Sequence, residues 1–349
     1  MHTPCSVISS YADPSFGVKN GAVRIGFAIR RSSVMDATWT TIALAVAALR
    51  QGHQVRFIEP WDWEVLPSGA LNARVHAFDR PTSARFMARA LVHRLAERRQ
   101  LRLGSLDLLM IRAAPWHHAL ASFAQMAHFA GVRVVNPPAS LLAVHHKGWL
   151  ATQAHVPTPR TLCTRSRAAA HLFLDEEGGD VVVKPATGSG GRFVQHVRRG
   201  RHADLDRAWN EIDEKTGDHV IIQRFISDFD RGEKRLIWLD GEVLGGYRRL
   251  RAPGEFRHNL KQGGRAVATD ITEGDLAAVA PLTPNLLRLG TRLAGLDLIN
   301  QQITEVNVLN PGGSYHTDRL TGSNVSETIV SRLCQPLTEQ ESPWALPAP

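Results

Sequence analysis

The sequence predicts a mixed α/β and α+β fold, in which a small doubly wound α/β lobe precedes a larger lobe built from strand hairpins. Three observations predict it. A buried strand, a helix and a second strand follow one another between residues 22 and 58. A glycine-rich loop, Gly188–Gly191, separates two apolar strands. A strand pair at 296–308 carries two carboxylates that would face each other across a hairpin.

The composition is typical of a globular enzyme. The 349 residues are 43% hydrophobic and 21% charged, and a chain of this length divides into two or three lobes. No apolar run approaches the roughly 20 residues of a membrane helix, and residues 1–19 lack a signal-peptide core. We expect a cytoplasmic protein without a membrane partner. Cys5, Cys163 and Cys334 have no metal or disulfide spacing and are expected to be reduced.

The net charge of +8 raises the question of a nucleic-acid partner. The Lys and Arg residues are spread along the whole chain, however, and no zinc-finger spacing or aromatic RNA-binding motif accompanies them. A small polyanionic substrate explains the excess equally well. We therefore expect small-molecule partners and no nucleic acid.

The first lobe is predicted from alternating strand and helix patterns after a disordered N-terminus, residues 1–21. The β-α-β order implies a parallel sheet, and no G-x-G-x-x-G follows the first strand, which argues against a nicotinamide cofactor. Within the lobe, residues 22–137, we expect strands at 22–29, 54–58, 105–111 and 132–135, and helices at 39–51 and 119–130.

Asn136-Pro137-Pro138 marks the boundary to the second lobe, residues 138–334. The Asp240-Gly241 pair is a strong hairpin signal. The tail, residues 335–349, is rich in Pro, Glu and Ser and is expected to be flexible. The predicted elements are a helix at 141–154, strands at 160–163, 180–184 and 218–226, a hairpin at 234–244, and a β-rich remainder ending near Leu333.

The stretch 296–308 reads as two apolar strands joined by a short polar turn centred on Gln301. Antiparallel pairing about that centre sets Asp297 opposite Glu305, with their Cβ atoms about 5 Å apart. Side chains alternate along a strand, so Asn307 shares the face of Glu305. Facing carboxylates repel, and Mg²⁺ removes that conflict by binding carboxylate and amide oxygens. The alternative is a solvated hairpin with an acidic face.

Residues 181–197 read as strand, glycine loop and strand, with Lys184 just before the loop. Glycines let backbone N–H groups close on an anion without Cβ interference, and Lys184 can place its ammonium group on a phosphate. The pattern is not G-x-x-x-x-G-K-[ST], and the residues after it are β-branched rather than helical, so it is no P-loop. The fixed lysine favours nucleotide binding over a merely flexible hairpin loop.

Residues 249–264 are too long, too basic and too rich in glycine for a simple connector. Their Arg and Asn donors could stabilise charge on a transferring phosphoryl group. Together the motifs are, in order, Asn136-Pro137, Lys147, Val183-Lys184-Pro185 with its glycine loop, Gln223–Ile226, Lys234-Arg235, Asp240-Gly241-Glu242, Arg257–Leu260, Gly263-Gly264, Asp297 and Thr304–Val308.

This order resembles the ATP-grasp superfamily, and most closely bacterial glutathione synthetases, over about residues 22–333. The resemblance implies an ATP-grasp fold in which two subdomains of residues 138–334 clasp ATP. It implies an ADP-forming carboxylate–amine ligase that works through an acyl phosphate, with Mg²⁺, or alternatively Mn²⁺, as the metal. It further implies a carboxylate and an amine as substrates and a homo-oligomer, a dimer or tetramer.

The resemblance also implies roles for individual residues. The lysines would bind the ATP phosphates, the glycine loop would cover them, and the linker at 223–226 would bond adenine. The ATP set is Lys147, Lys184, Gly188, Ser189, Gly190, Gly191, Gln223, Arg224, Phe225 and Ile226; the metal ligands are Asp297, Glu305 and Asn307. The catalytic candidates are Arg235, Arg257 and Asn259, and the substrate candidates are Arg249, Arg257, Asn310, Gly312 and Gly313.

Two segments depart from the glutathione synthetase pattern. Residues 112–118 replace an acidic Pro-Pro-Phe-Asp-like segment, and residues 310–313 stand where Ser-Pro-Thr is usual. Both would border the acceptor, so the sequence leaves open a dedicated amino-acid or peptide ligase that does not use γ-glutamylcysteine and glycine. The rival classes are a nucleic-acid-binding protein, which salt-dependent binding would reveal, and a nucleotide-binding regulator without turnover, which the complete metal-ligand set disfavours.

Overall fold

The computed structural model describes residues 21–115 and 117–335, which form three β-sheets with flanking helices. The predictions for residues 1–20, for the tail from residue 336, for Cys5 and for Trp116 lie outside the described residues. Of the helices in the described ranges, none is long and apolar enough to cross a bilayer.

The first sheet is mixed and belongs to the N-terminal lobe. Its six strands are β1 (Arg24–Ile29), β2 (Gln54–Val65), β3 (Leu71–Phe78), β4 (Glu97–Arg102), β5 (Leu108–Arg112) and β6 (Arg133–Val135). They lie in the order β4-β3-β2-β1-β5-β6. The strands β2, β1, β5 and β6 are parallel, which confirms the predicted β-α-β unit, while β2, β3 and β4 form an antiparallel meander.

Helices cover both faces of this sheet. The side chain of Phe27 packs in one core cluster with Ile42, whereas the next residue, Ala28, packs in another with Phe123. The doubly wound arrangement is thus confirmed. The sequence analysis missed β3, β4 and one helix. In the case of β4 the reason is that it is an edge strand of almost entirely polar residues without apolar alternation. The helices of this lobe are α1 (Thr40–Arg50), α2 (Ala84–Val92) and α3 (His118–Phe129).

The single helix predicted at 141–154 is wrong. Two short helices, α4 (Pro138–Val144) and α5 (Gly148–Ala151), replace it. The break comes at Lys147, whose N–H donates to Ala186 O at 2.8 Å instead of to a carbonyl of its own helix. The break therefore brings Lys147 beside the strand end that precedes the glycine loop.

The second sheet is antiparallel and has the strand order β7-β10-β8-β9. Two helices pack on it through a core that includes Phe173, Trp209 and Ile212. The strands at 160–163, 180–184 and 218–226 are confirmed within a few residues. The elements are β7 (Thr161–Thr164), α6 (Arg167–Glu177), β8 (Val181–Pro185), β9 (Gln195–Val197), α7 (His202–Thr216) and β10 (Val220–Arg224).

The third sheet is also antiparallel, with the order β13-β12-β11-β14-β15. The predicted hairpin turn is confirmed at Asp240 and Gly241, whose φ angles are 47° and 99°. The strands are β11 (Glu233–Leu239), β12 (Glu242–Leu250), β13 (Arg265–Val267), β14 (Leu293–Ile299) and β15 (Gln302–Asn307).

The prediction of a β-rich remainder up to Leu333 is wrong, because helices fill much of it. In the last of them Val325, Ile329, Val330 and Leu333 are buried, a helical spacing that the sequence already contains. These helices are α8 (Glu273–Val279), α9 (Thr283–Arg288), α10 (Ser314–Thr321) and α11 (Val325–Cys334). The helix α11 packs on α1, where Gln51 Nε2 donates to Glu327 O at 2.9 Å.

Candidate active site

A cleft is lined by residues of both the second and the third sheet. The space between its walls is about 870 Å³ when the open mouth is included. Every residue that the sequence analysis assigned to ATP lines it, together with Arg257, Asn259 and Glu305. Residues separated by more than 150 positions therefore meet in one place.

Two lysines lie in the cleft. Lys184 is only 8% exposed, and its Nζ donates to Gln223 Oε1 at 2.9 Å and to Thr304 O at 3.3 Å. Burial lowers the pKa of Lys184 to about 8, against the opposing charge of Glu305. Lys147 Nζ donates to Gly188 O at 3.0 Å and lies 3.4 Å from Glu305 Oε1. The two ammonium groups thus flank the start of the glycine loop and the strand β15.

The glycine loop needs its glycines. Gly188, Gly190 and Gly191 have φ angles of 132°, 72° and 72°, in the region that side chains disfavour. A Cβ on Gly191 would overlap Asn259 Oδ1. Arg257 Nη1 donates to Gly191 O at 2.9 Å, so the basic segment after β12 contacts the loop directly.

The linker 223–226 lies at the end of β10. The side chain of Gln223 bonds Lys184, and that of Arg224 bonds Glu177 at 2.5 Å. The N–H groups of Arg224 and Phe225 donate to Arg160 O and Asp180 O. Backbone donation to a ligand therefore falls to Ile226. The ring of Phe225 stacks on His196, with 4.3 Å between ring centroids.

The hairpin β14–β15 pairs Asp297 with Glu305, as predicted. The turn is centred between Asn300 and Gln301, half a residue before the predicted centre at Gln301. A two-residue turn, Asn300–Gln301, has φ angles of 47° and 60°, and a register shift after Asp297 leaves Thr304 as the extra residue. The bulge restores the register that a symmetric turn would have given.

Asp297 is 1% exposed and its two oxygens accept four hydrogen bonds. Oδ1 accepts from Arg235 Nε at 2.5 Å and from Arg249 Nη2 at 2.6 Å; Oδ2 accepts from Arg235 Nη2 at 2.8 Å and from Asn307 Nδ2 at 3.2 Å. Burial alone would raise the pKa of Asp297, but the two guanidinium groups outweigh it and hold the pKa at about 2. A carboxylate has about four acceptor positions, so all of them are used here.

The three metal-ligand candidates therefore differ in position. Glu305 lines the cleft with its side chain 25% exposed, whereas Asp297 is enclosed by arginines. Asn307 turns its amide nitrogen toward Asp297 and Gly295 O, which leaves Oδ1 on the other side of the group. Two carboxylates and an amide oxygen are the donor set of a hard divalent cation. The residues fit such an ion if one of the four hydrogen bonds to Asp297 is replaced by a contact with the metal.

Arg235 and Arg249, candidates for phosphate and substrate binding, are committed to this network and do not line the cleft. A further member escaped the sequence analysis. Glu233 lines the cleft, and its Oε2 accepts from Arg249 Nη2 at 2.6 Å. Burial raises the pKa of Glu233 to about 7, against the positive charge of Arg249. Strand alternation from Arg235 would have placed Glu233 on the same face.

Aromatic and imidazole side chains in the cleft were also missed. Phe229, Phe256 and His258 line it. His258 is 5% exposed, and its Nε2 has no hydrogen-bond partner among the residues that the structure describes. Buried polar atoms rarely lack a partner, so this nitrogen points to a bound group. The signal in the sequence that could have indicated Phe256 and His258 was their place in the basic, glycine-containing segment 249–264.

The segment 310–313 lies where the first lobe meets the third sheet. Arg112 Nη1 donates to Pro311 O at 2.8 Å, Arg235 Nη1 donates to Gly312 O at 3.0 Å, and Gly313 N donates to Thr40 Oγ1 at 2.9 Å. Asn310 is exposed. Arg257 is the substrate candidate that lines the cleft. The other four candidates do not line it: Arg249, Asn310, Gly312 and Gly313.

Sequence models of two domains match the chain. The N-terminal domain of prokaryotic glutathione synthetase matches residues 23–141, and the ATP-grasp domain of the same enzyme matches residues 150–322. A glutathione synthetase of Mesorhizobium japonicum is 29% identical over 302 residues, 84% of this chain and 92% of its own. One of Parasynechococcus marenigrum is 32% identical over 209 residues, 60% of this chain and 67% of its own.

Among solved structures, a D-cycloserine synthetase is similar with a TM-score of 0.65, covering 89% of this chain and 98% of its own. Its sequence is 17% identical, so the likeness concerns the fold. The ATP-grasp fold with an N-terminal α/β lobe, expected from the sequence, is thereby confirmed.

Proposed function

The chain belongs to the prokaryotic glutathione synthetase family, and on that premise we propose how its cleft joins a carboxylate to an amine. It is an ATP-dependent, ADP-forming carboxylate–amine ligase that uses a divalent metal and small-molecule substrates. The observation that carries the proposal is the convergence of Lys147, Lys184, the glycine loop and Glu305 in one cleft.

ATP binds with its phosphates between Lys147 and Lys184 and beneath the glycine loop. Three of the four residues at 188–191 are glycines without a Cβ, so the backbone there can close on an anion. The adenine lies toward the linker, where Ile226 offers its N–H and Phe229 adds an apolar wall. His258, whose buried Nε2 has no hydrogen-bond partner among the described residues, lines the same cleft.

The divalent metal is Mg²⁺, with Mn²⁺ as an alternative, held by Glu305, Asp297 and the amide oxygen of Asn307. When bound, it neutralises charge on the triphosphate. To make room for the metal, Asp297 would give up the hydrogen bond from Asn307, which at 3.2 Å is the longest of its four and the one from a neutral donor.

ATP supplies the phosphoryl group that activates the substrate carboxylate, and the amine then attacks the acyl phosphate. The chain contributes positioning and charge. Arg257 and Asn259 lie against Gly191 and face the transferring phosphoryl group, where fixed donors stabilise developing charge. Arg235 acts through Asp297 and Gly312 O, as a positioning residue between the metal face and the acceptor loop.

The acceptor differs from γ-glutamylcysteine and glycine. The two segments that depart from the family pattern touch each other, since Arg112 Nη1 bonds Pro311 O. Arg112 is buried, and its described partners are neutral oxygens of Thr41 and Pro311. Burial without an acidic partner lowers the pKa of Arg112 to about 9. We infer a substrate whose own carboxylate lies toward this guanidinium.

Release of ADP and phosphate from purified protein with ATP and Mg²⁺ tests the proposal across pairs of carboxylates and amines, with mass analysis of the product. We expect glutathione formation from γ-glutamylcysteine and glycine to be at least about 100-fold slower than the best pair, since a site with mismatched polar groups rejects its partner by several kcal/mol. Glutathione formation at about 1 to 10³ per second would instead assign glutathione synthesis to this chain.

We also propose a homo-oligomer in the cytoplasm. Phe129 and Met126 of α3 and Leu142 of α4 are 80%, 38% and 64% exposed, and α3 packs against α4, so these apolar side chains offer a second copy a surface to cover. Light scattering of the purified protein tests the first point, and fractionation of cells tests the second. A monomer at enzyme-assay concentrations would reject the oligomer.

A further inference from the structure

A group of metal-binding side chains lies outside the nucleotide cleft. His146, Asp218 and His219 each offer a ligand atom, and these atoms lie within 4.8 Å of one another. The rings of His146 and His219 are 6.1 Å apart between centroids and nearly perpendicular, at 75°. Asp218 and His146 are half-buried and His219 is exposed, so the group is open to solvent from one side.

We propose that His146, Asp218 and His219 form a second metal site, for zinc or another first-row transition ion, distinct from the magnesium site. Two imidazole nitrogens and a carboxylate are a donor set that suits zinc and its neighbours, whereas Mg²⁺ prefers oxygen ligands. Three protein ligands leave a position for water.

The surroundings hold the ligands in place. Asp218 Oδ1 accepts from the N–H of His219 at 2.7 Å and its Oδ2 accepts from Thr187 Oγ1 at 2.9 Å. Outer-shell bonds of this kind orient metal ligands. Cys163 lies close by, since a Cβ on Gly148 would be 3.1 Å from its Sγ and 2.9 Å from His146 Nδ1. Burial and the charge of Asp218 raise the pKa of this thiol, and Cys163 is not one of the residues whose ligand atoms lie within 4.8 Å of one another.

Metal binding breaks one bond of the present structure. His146 Nδ1 accepts from Gly148 N at 3.2 Å. A neutral imidazole has a lone pair on only one nitrogen at a time, so coordination through either nitrogen ends this hydrogen bond. The bond is long for an N–H donor, and its loss costs little.

The site adjoins the phosphate-binding parts of the cleft. His146 precedes Lys147, Thr187 precedes Gly188, and Ala186 bonds both segments, through its N–H to His219 O and through its carbonyl to Lys147 N. A metal here therefore ties the base of the glycine loop to the start of β10.

Another pair of contacting histidines, His171 and His202, does not offer such a site. His171 and His202 bond each other through their Nδ1 atoms at 2.8 Å. Their Nε2 atoms lie 3.0 Å from Asp206 and Asp175 respectively. Both nitrogens of each ring are thus already used, and no ion fits between rings that bond directly.

Cobalt(II) binding to the full chain tests the proposal, followed by its visible absorption and by equilibrium dialysis in excess Mg²⁺, with Zn²⁺ as competitor. We expect one equivalent per chain, displaced by Zn²⁺ and not by ATP with Mg²⁺. His146→Ala and His219→Ala should each weaken binding by more than the roughly 10- to 100-fold that loss of an outer-shell partner costs. His93→Ala, at an exposed single histidine, is the matched control.

Asp218→Asn nearly preserves the shape of the side chain, so it tests the site even if the alanine variants misfold. It should weaken cobalt binding to a similar extent, while nucleotide binding persists. Glu305→Gln should leave cobalt binding unchanged. The proposal is overturned if the parent binds no cobalt in excess Mg²⁺, if the ligand variants bind it as the parent does, or if Glu305→Gln abolishes it.

Discussion

Replacing Asp297 by Asn separates the two roles of the carboxylate on β14. The substitution keeps the side-chain shape but removes a charge that is 1% exposed and bonded by two guanidinium groups. The amide has a single acceptor oxygen, and its NH₂ would face a guanidinium donor. Arg249 would retain Glu233 as a partner, whereas Arg235 would lose its ion pair.

Breaking a buried ion pair by removing one partner costs about 3–5 kcal/mol, because the other charge is left uncompensated. We expect a loss of that size in the free energy of unfolding of Asp297→Asn. Glu305→Gln is the matched control on the facing strand. Glu305 is 25% exposed and its ion pair with Lys147 is 3.4 Å long, so its loss should cost about 1 kcal/mol or less.

Equilibrium unfolding in urea, with protein free of nucleotide and metal, measures both values. Turnover with ATP and increasing Mg²⁺ is measured in parallel. Both variants should lose most of their activity, and any residual rate of Glu305→Gln should shift to higher Mg²⁺. The reasoning is refuted if Asp297→Asn unfolds within about 1 kcal/mol of the parent, or if Glu305→Gln is the less stable of the two; unchanged magnesium dependence would reject the metal assignment.

Three further outcomes are expected. Lys184→Ala should abolish ATP-dependent turnover while the fold persists, and equal ATP affinity and rate would contradict its phosphate role. Burial holds the pKa of Lys184 at about 8, so the free enzyme loses this positive charge as the pH rises through 8. A plot of log(kcat/KM) for ATP against pH should then fall with a slope approaching about −1. Lys184→Arg, which does not titrate there, should remove that fall. Glu255→Gln should raise the KM for ATP about two- to fivefold, since the Glu255 Oε2 to Arg257 Nη2 contact of 2.6 Å steadies Arg257 against the glycine loop; an unchanged KM in initial-rate kinetics would show that the loop needs no such support.

Local patterns in the sequence predicted the parts of the site that lie on one hairpin or one loop. The facing of Asp297 and Glu305 follows from strand alternation and spacing, and it survived an error in the turn because the bulge at Thr304 compensated for it. The Asp240-Gly241 turn and the loop after Lys184 are equally local, since each depends on glycine at positive φ.

The rest depends on contacts distant in sequence. The pairing of β11 with β14 brings Arg235 onto Asp297, 62 positions away, and the pairing of β12 with β11 brings Arg249 to the same carboxylate. A residue expected to be catalytic and one expected at the substrate are therefore partners of Asp297. Nothing within either strand specifies that pairing. The break at Lys147 likewise involves Ala186 O, a carbonyl from another element; Gly148, the next residue, was a local signal of a weak point in the helix but did not specify this contact.

The packing of α11 on α1 has a consequence for synthesis of the chain. Val325, Ile329 and Leu333 share one core cluster with Ile42 and Phe27 of the first lobe. Domains emerging from the ribosome generally fold in order, N-terminal first. The core of the first lobe, however, is incomplete until α11, the last described helix, has been translated. The nascent chain therefore exposes the face of α1 that α11 later covers for most of its synthesis, and chaperones that recognise apolar surfaces can bind that face during this time.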